Sequence, residues 1–173
     1  MSRYRPPAEP SSPYITREGY EHLNQELKHL WKHKRPEVTR KVSEAAALGD
    51  RSENAEYIYG KKQLREIDAR IRFLARRLDR LEVVDRLPPD QNRVYFGATV
   101  TLENDAGEQR LYRIVGPDEF DREAHFISMD SPVARLLLKK QPGDTLVLPG
   151  TPPNQPYTLI RICYPNTQKK MSD

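Results

Sequence analysis

Two apolar stripes constrain this chain more than any other feature. From residue 64 to 81, Leu64, Ile67, Ile71, Leu74, Leu78 and Leu81 step by 3, 4, 3, 4 and 3. That 3.5-residue repeat is the seam of a coiled coil. Upstream, Tyr20, Leu23, Leu27, Leu30, Lys34 and Val38 step by 3, 4, 3, 4 and 4, with Trp31 beside the seam. Two such segments joined by a short link fold back as an antiparallel hairpin, each stripe covering the other. Each arm of roughly 30 residues would extend about 45 Å at the helical rise. Thr16 suits the N-cap, with Glu18 favouring the dipole in the first turn. Pro36 falls inside the first arm, where it removes a helical hydrogen bond. It either kinks the helix or, with Arg35, marks a break. Val38, Val42 and Ala45 continue the stripe and favour the kink.

The remainder of the chain changes pattern. "RLPPDQN" at 86–92 reads as a linker by its two prolines. Beyond it, "RVYFGATVTLE", "EQRLYRIVG", "HFISMD", "DTLVLPG" and "PYTLIRICY" are strand-like, and "ENDAG" supplies a hairpin turn. "SPVARLLLKK" reads as a short helix capped by Ser131 or Asp130, with Pro132 at its first position. The expected fold class is α+β: an N-terminal antiparallel coiled-coil hairpin, then a small antiparallel β domain with one short helix. The expected divisions are a flexible proline-rich leader at 1–14, the hairpin at 15–84 with its turn at 48–57, and a linker at 85–92. A folded domain at 93–165 and a polar tail at 166–173 complete the chain.

Composition narrows the setting. Charged residues make up 31% and hydrophobic ones 36%, which suits an elongated protein with much surface. No apolar run approaches the roughly 20 residues that span a bilayer, and the first residues lack the apolar core of a secretory signal. A lone cysteine, Cys163, fits a reducing, cytoplasmic setting. It is expected to be a buried core thiol. Motifs of self-contained NTPases, hydrolases and zinc proteases are missing from the sequence. His22, His29 and His33 lie on the first arm, the last two at i, i+4, but with no third zinc ligand in view they read as solvated flanking positions.

Charge distribution says more than the net charge of +4. Residues 28–44 and 61–77 together carry thirteen basic side chains against four acidic ones. The basic set includes Lys34, Arg35, Arg40, Lys41, Lys61, Lys62 and Arg65. The turn between the arms, "LGDRSENAEY", reverses the sign with Asp50, Glu53 and Glu56 against Arg51. The bland account is a helix cap at Asp50 or Ser52 and a solvated helix surface. Neither part of it explains opposite charges in adjacent zones. A basic shaft suits a nucleic-acid backbone. Two exposed carboxylates hold Mg²⁺ only weakly, but they become useful when carried to a partner that already holds a metal and a phosphodiester. The residues thus point to a probe-like effector of a nucleic-acid enzyme.

"GDRSENAEY" resembles the tip signature of the bacterial Gre transcript-cleavage factors, and "ITREGYEHLNQELKHLW", "RPEVTRKV", "LREIDARIRFLARRL" and "DSPVARLLLKK" are similar to the same family. The resemblance runs from about Ile15 to Tyr164. Arg51 and the dense basic shaft place it nearer the GreB branch than the GreA branch. It implies a C-terminal domain of FKBP-like fold that docks on RNA polymerase, at the β′ subunit beside the secondary channel, through Asp130, Ser131 and Pro132. It implies that Asp50 and Glu53 assist a Mg²⁺ ion shared with the polymerase, bound only in that complex. Gly49, Ser52, Asn54 and Tyr57 would shape the tip, and the basic shaft would contact the nascent RNA 3′ end. The polymerase itself would cleave the RNA of backtracked complexes, and the factor, a monomer with no membrane partner, would only stimulate it. Both tip acids are present, unlike in inhibitory relatives with diverged tips. The rival expectations are a regulator that plugs the channel without using its carboxylates and, less favoured, a prolyl isomerase or chaperone.

Overall fold

The computed structural model describes residues 10–51 and 53–165, which divide into two compact units. One comprises residues 20–81; the other joins the chain up to Gly19 with the chain from Glu82 onward.

The unit of residues 20–81 is the helical hairpin. Helix α1 (Arg17–His29), which starts three residues before this unit, runs into a π-helical turn (Leu30–Lys34) and then α2 (Arg35–Ala47). After the turn, α3 (Ala55–Leu78) returns. Its 24 residues span about 36 Å. The seam is built as the heptads require: Leu23, Val38, Ile67, Leu74 and Leu78 are buried, with Leu27, Leu30, Leu64 and Ile71 half-buried between them. Each fully buried apolar side chain contributes about 1.5–3 kcal/mol. Across the arms, Arg35 pairs with Asp68 at 2.7 Å and Arg70 holds Glu26 through two bonds of 2.7 and 2.9 Å. Gly60 is buried because α2 lies directly against it; a Cβ there would come within 2.6 Å of Val42 Cγ2.

Pro36 does not break the first arm. His29, Lys34 and Arg35 all keep right-handed helical dihedrals, and the Arg35 N–H donates to the Leu30 carbonyl five residues back. The widened π turn lies immediately before the proline, where the missing N–H and the ring would disturb an α-helical ladder.

The other unit corrects four expectations. Tyr14 does not belong to a free leader: β1 (Tyr14–Ile15) pairs in parallel with β2 (Glu82–Val83), locked by Glu82 N–H to the Pro13 carbonyl and Val84 N–H to the Ile15 carbonyl, both 2.9 Å. Residues 1–9 and 166–173 lie outside the described residues. Nor is 85–92 a tether between domains. It belongs to the same unit, with Asp85 paired to Arg17 and Asp90 to Arg93. The two prolines end regular structure there without ending the packed unit.

The third correction concerns the sheet. Its order is β5-β4-β3-β7-β6, from β3 (Thr99–Asn104), β4 (Gln109–Val115), β5 (Phe126–Ser128), β6 (Thr145–Leu146) and β7 (Tyr157–Cys163). Most pairs are antiparallel, but β4 and β5 run parallel, with Arg113 opposite Phe126 and Val115 opposite Ser128. The sheet is therefore mixed. Residues 116–125 carry the chain back to a point opposite Arg113 in β4 before β5 begins, and that excursion is anchored by Glu119, a fully buried side chain. Val94, Val100, Leu102, Ile114, Leu148 and Leu159 fill the core, and helix α4 (Pro132–Leu137) adds Ala134 and Leu137 to it.

Cys163 is exposed, not buried. The β3–β7 register shifts so that Leu102 faces Leu159 while Thr101 faces Arg161, leaving Ile160 as an extra residue. The bulge flips the alternation: Tyr157 and Leu159 point inward, then Ile162 packs on the core and Cys163 turns out.

Candidate functional site

The turn of the hairpin is organised by Asn54. Its side-chain oxygen accepts from the Tyr57 N–H at 3.1 Å, capping α3, and its amide nitrogen donates to the Ala45 carbonyl at 2.8 Å. One side chain thus satisfies a free donor at the start of α3 and a free acceptor at the end of α2. The Leu48 N–H also donates to the Ala45 carbonyl, at 3.2 Å. Gly49 follows with φ +134°, a backbone region that favours glycine. The cap of α3 is therefore Asn54 and not Asp50; Ser52 lies outside the described residues. An amide serves better here because it carries a donor and an acceptor, whereas a carboxylate only accepts.

Asp50, Arg51 and Glu53 are exposed, and Glu56 sits in the first turn of α3, where the helix dipole favours negative charge. Tyr57 is half-buried with the Arg51 guanidinium 5.9 Å from its ring centre. The cap falls to Asn54, and Asp50 and Glu53 stay exposed on a turn held at both ends.

The expected basic residues divide into two sets. Arg35 is bound to Asp68, Arg40 to Glu44 at 2.9 Å, and Lys41 to Glu37 at 2.7 Å. The Lys41 hydrogen bond holds the Glu37 carboxyl below its ordinary value, with Lys34 adding to the effect. Lys61, Lys62 and Arg65 are exposed on α3, and none has an ion pair among the described residues. Lys34 is half-buried in the π turn.

In the sheet unit, Ser131 caps α4 by accepting from the Ala134 N–H at 3.2 Å, and Pro132 is exposed in the first turn. Asp130 does something the sequence did not announce. Its carboxylate accepts from the Ser12 N–H at 2.9 Å and from the Ser12 hydroxyl. A second such link joins Thr16 to Glu119: the Thr16 N–H and hydroxyl donate to the carboxyl at 3.0 and 2.6 Å, and the Gly116 N–H donates at 2.9 Å. Thr16 does cap α1, its hydroxyl accepting from the Gly19 N–H at 3.0 Å. No sequence spacing signals partners 103 and 118 residues apart.

Among the described residues no three His, Cys, Asp or Glu side chains gather as a metal site, and no helix is long and apolar enough to cross a membrane. The His29 and His33 rings lie 5.7 Å apart on an exposed face.

The described residues thus comprise a helical hairpin with exposed carboxylates at its turn and exposed cations on α3 just beyond it, and a small mixed-sheet unit. Comparison with known proteins makes this specific. The family description "Transcription elongation factor, N-terminal" matches residues 13–83, and "Transcription elongation factor, GreA/GreB, C-term" matches 89–164. The chain is 59% identical over 166 residues to transcription elongation factor GreB of Pseudomonas aeruginosa, covering 95% of this chain and 98% of that protein. It is 56% identical over 153 residues to GreB of Yersinia pestis, covering 88% and 90%. A crystal structure of GreA factor homolog 1 of Thermus thermophilus is 26% identical over 87% of this chain and 97% of that one, with a TM-score of 0.39, too low to compare arrangements. The chain belongs to the GreA/GreB family of transcription elongation factors.

Proposed function

We propose that this protein rescues backtracked transcription complexes by lending its tip carboxylates to RNA polymerase. The observation that carries the reading is the turn itself: Asp50 and Glu53 exposed, on a backbone tied at both ends by Asn54. Two carboxylates do not make a metal site alone, because Mg²⁺ needs a full octahedral shell of oxygens. They do fit as the missing ligands of a Mg²⁺ ion shared with a partner, since Mg²⁺ takes few protein carboxylates and keeps the rest of its shell for water and phosphate. Bound there, the ion supplies charge stabilisation and an activated water for in-line attack on phosphorus. Asp50 and Glu53 hold and orient; Lys61, Lys62 and Arg65 attract the RNA backbone. The RNA 3′ end is the substrate, the polymerase is the enzyme, and the sheet unit docks through Asp130, Ser131 and Pro132 on the β′ subunit beside the secondary channel.

The test uses a backtracked elongation complex with end-labelled RNA and Mg²⁺. Wild type should accelerate cleavage, while Asp50→Asn and Glu53→Gln should bind the polymerase equally and lose the acceleration. Undiminished cleavage by both variants would leave a channel-binding regulator instead.

A further inference from the structure

Tyr59 is 68% exposed, two residues beyond the partly packed Tyr57. The buried side of α3 runs through Gly60, Ile67 and Leu74, so the tyrosine lies off the seam and core packing does not account for it. Among the described residues its ring takes part in no aromatic or cation–π pair, whereas Tyr57 has Arg51. Tyr59 and Lys62 are three apart on one helix and so share a face. Arg65 follows Lys62 at the same spacing of three, while Lys61 lies on the far side of the helix from the ring, and neither Lys62 nor Arg65 has an ion pair among the described residues. Tyr59 lies about 7 Å along the helix from the Asn54 cap.

An exposed ring next to a row of cations at Lys62 and Arg65 matches what single strands need: a flat apolar face for a base and positive charge for the adjoining phosphates. A polymer duplex offers phosphates but keeps its bases stacked and out of reach. A protein partner with an acidic surface would use the cations but would have no need of a flat ring beside them.

We propose that Tyr59 is a stacking platform for an unpaired base of single-stranded RNA, with Lys62 and Arg65 holding the adjoining phosphates. The proposal rests on the functional reading above for the presence of RNA at the tip, and it adds a group that positions RNA without touching the metal. Tyrosine suits the task because the ring stacks on any base, so the contact tolerates every sequence.

The experiment measures affinity of the full chain for two polymerase complexes, one backtracked with extruded RNA and one with none extruded. Tyr59→Ala should bind the backtracked complex about tenfold more weakly, as loss of one stacked base implies, and the other complex as wild type does. Tyr59→Phe should match wild type on both. Abasic nucleotides in the extruded RNA should lower wild-type affinity to the Tyr59→Ala level and lower Tyr59→Ala no further. Equal weakening on both complexes would make Tyr59 a protein contact and overturn the proposal, as would no change on either. Affinity does not depend on the carboxylate chemistry, so a failure of that mechanism would show separately, as undiminished cleavage by Asp50→Asn.

Discussion

The amide of Asn54 reaches the carbonyl of Ala45 at 2.8 Å, nine residues back and on the other arm of the hairpin. Together with its cap on Tyr57, this bond makes the turn a closed structure rather than a loose link. Asn54→Ala should cost about 1 kcal/mol for the cap, with a further loss of about 1 kcal/mol for the Ala45 bond. Asn54→Asp keeps the acceptor and loses the donor, so its thermal stability should fall between the two. Amide exchange at Tyr57 should accelerate in the alanine variant but stay slow in the aspartate one. Unchanged exchange in both would remove Asn54 from this role.

Glu119 is buried and accepts three hydrogen bonds, two of them from backbone N–H groups of Thr16 and Gly116 at the same oxygen. Glu119→Ala strands those donors away from water, and the loss should be roughly 3 kcal/mol or more. Glu119→Gln keeps an oxygen for both, and its NH2 group meets a hydroxyl that also accepts. It should therefore stay within about 1 kcal/mol of wild type. Denaturant melts of the two variants decide it, and equal losses would contradict this account.

Ser12 ties the segment before β1 to Asp130, the first residue of the proposed docking motif. Ser12→Ala removes the hydroxyl bond and leaves the backbone one. If the tie holds Asp130 in its docking orientation, affinity for RNA polymerase should fall about fivefold, the equivalent of about 1 kcal/mol. Ser12→Thr should restore it. Wild-type affinity in the alanine variant would show that docking does not depend on this contact.

Tyr164 fastens the end of the sheet unit to its start: its hydroxyl donates to the Arg93 carbonyl at 2.5 Å and accepts from the Tyr95 N–H at 2.9 Å. Burial raises its pKa above the ordinary value of 10.0, more than the Tyr95 bond lowers it. A raised pKa means that the native state favours the neutral hydroxyl. The linked stability is present in full below the unfolded-state value and is lost as pH rises through the folded one. Wild type should therefore lose stability in alkaline melts from about pH 10 upward, and Tyr164→Phe should be less stable at neutral pH with a flatter alkaline decline. Parallel declines would assign the loss to other groups.

The hairpin and its acidic turn were legible because their signals are local. The spacing of Ile67, Leu74 and Leu78 states which side of α3 is buried, and a helix repeats that statement every turn. Gly49, Asp50, Glu53 and Asn54 stand together in the chain, so the turn carried its own signature. Even there, the choice of Asn54 as the cap waited on the Ala45 carbonyl, which only the folded hairpin brings within reach.

What tertiary structure decided involves residues far apart or a change of strand parity. Composition marks β4 and β5 as strands but not as parallel neighbours, because direction depends on the path of residues 116–125 around buried Glu119. Cys163 sits in an apolar stretch that reads as core, and one extra residue at Ile160 turns it outward. Ser12 and Thr16 look like parts of a leader and a cap until the fold sets Asp130 and Glu119 against them. Side-chain periodicity reports which face of an element is apolar; which distant groups meet that element is set by packing the whole unit, where buried donors and acceptors must find partners.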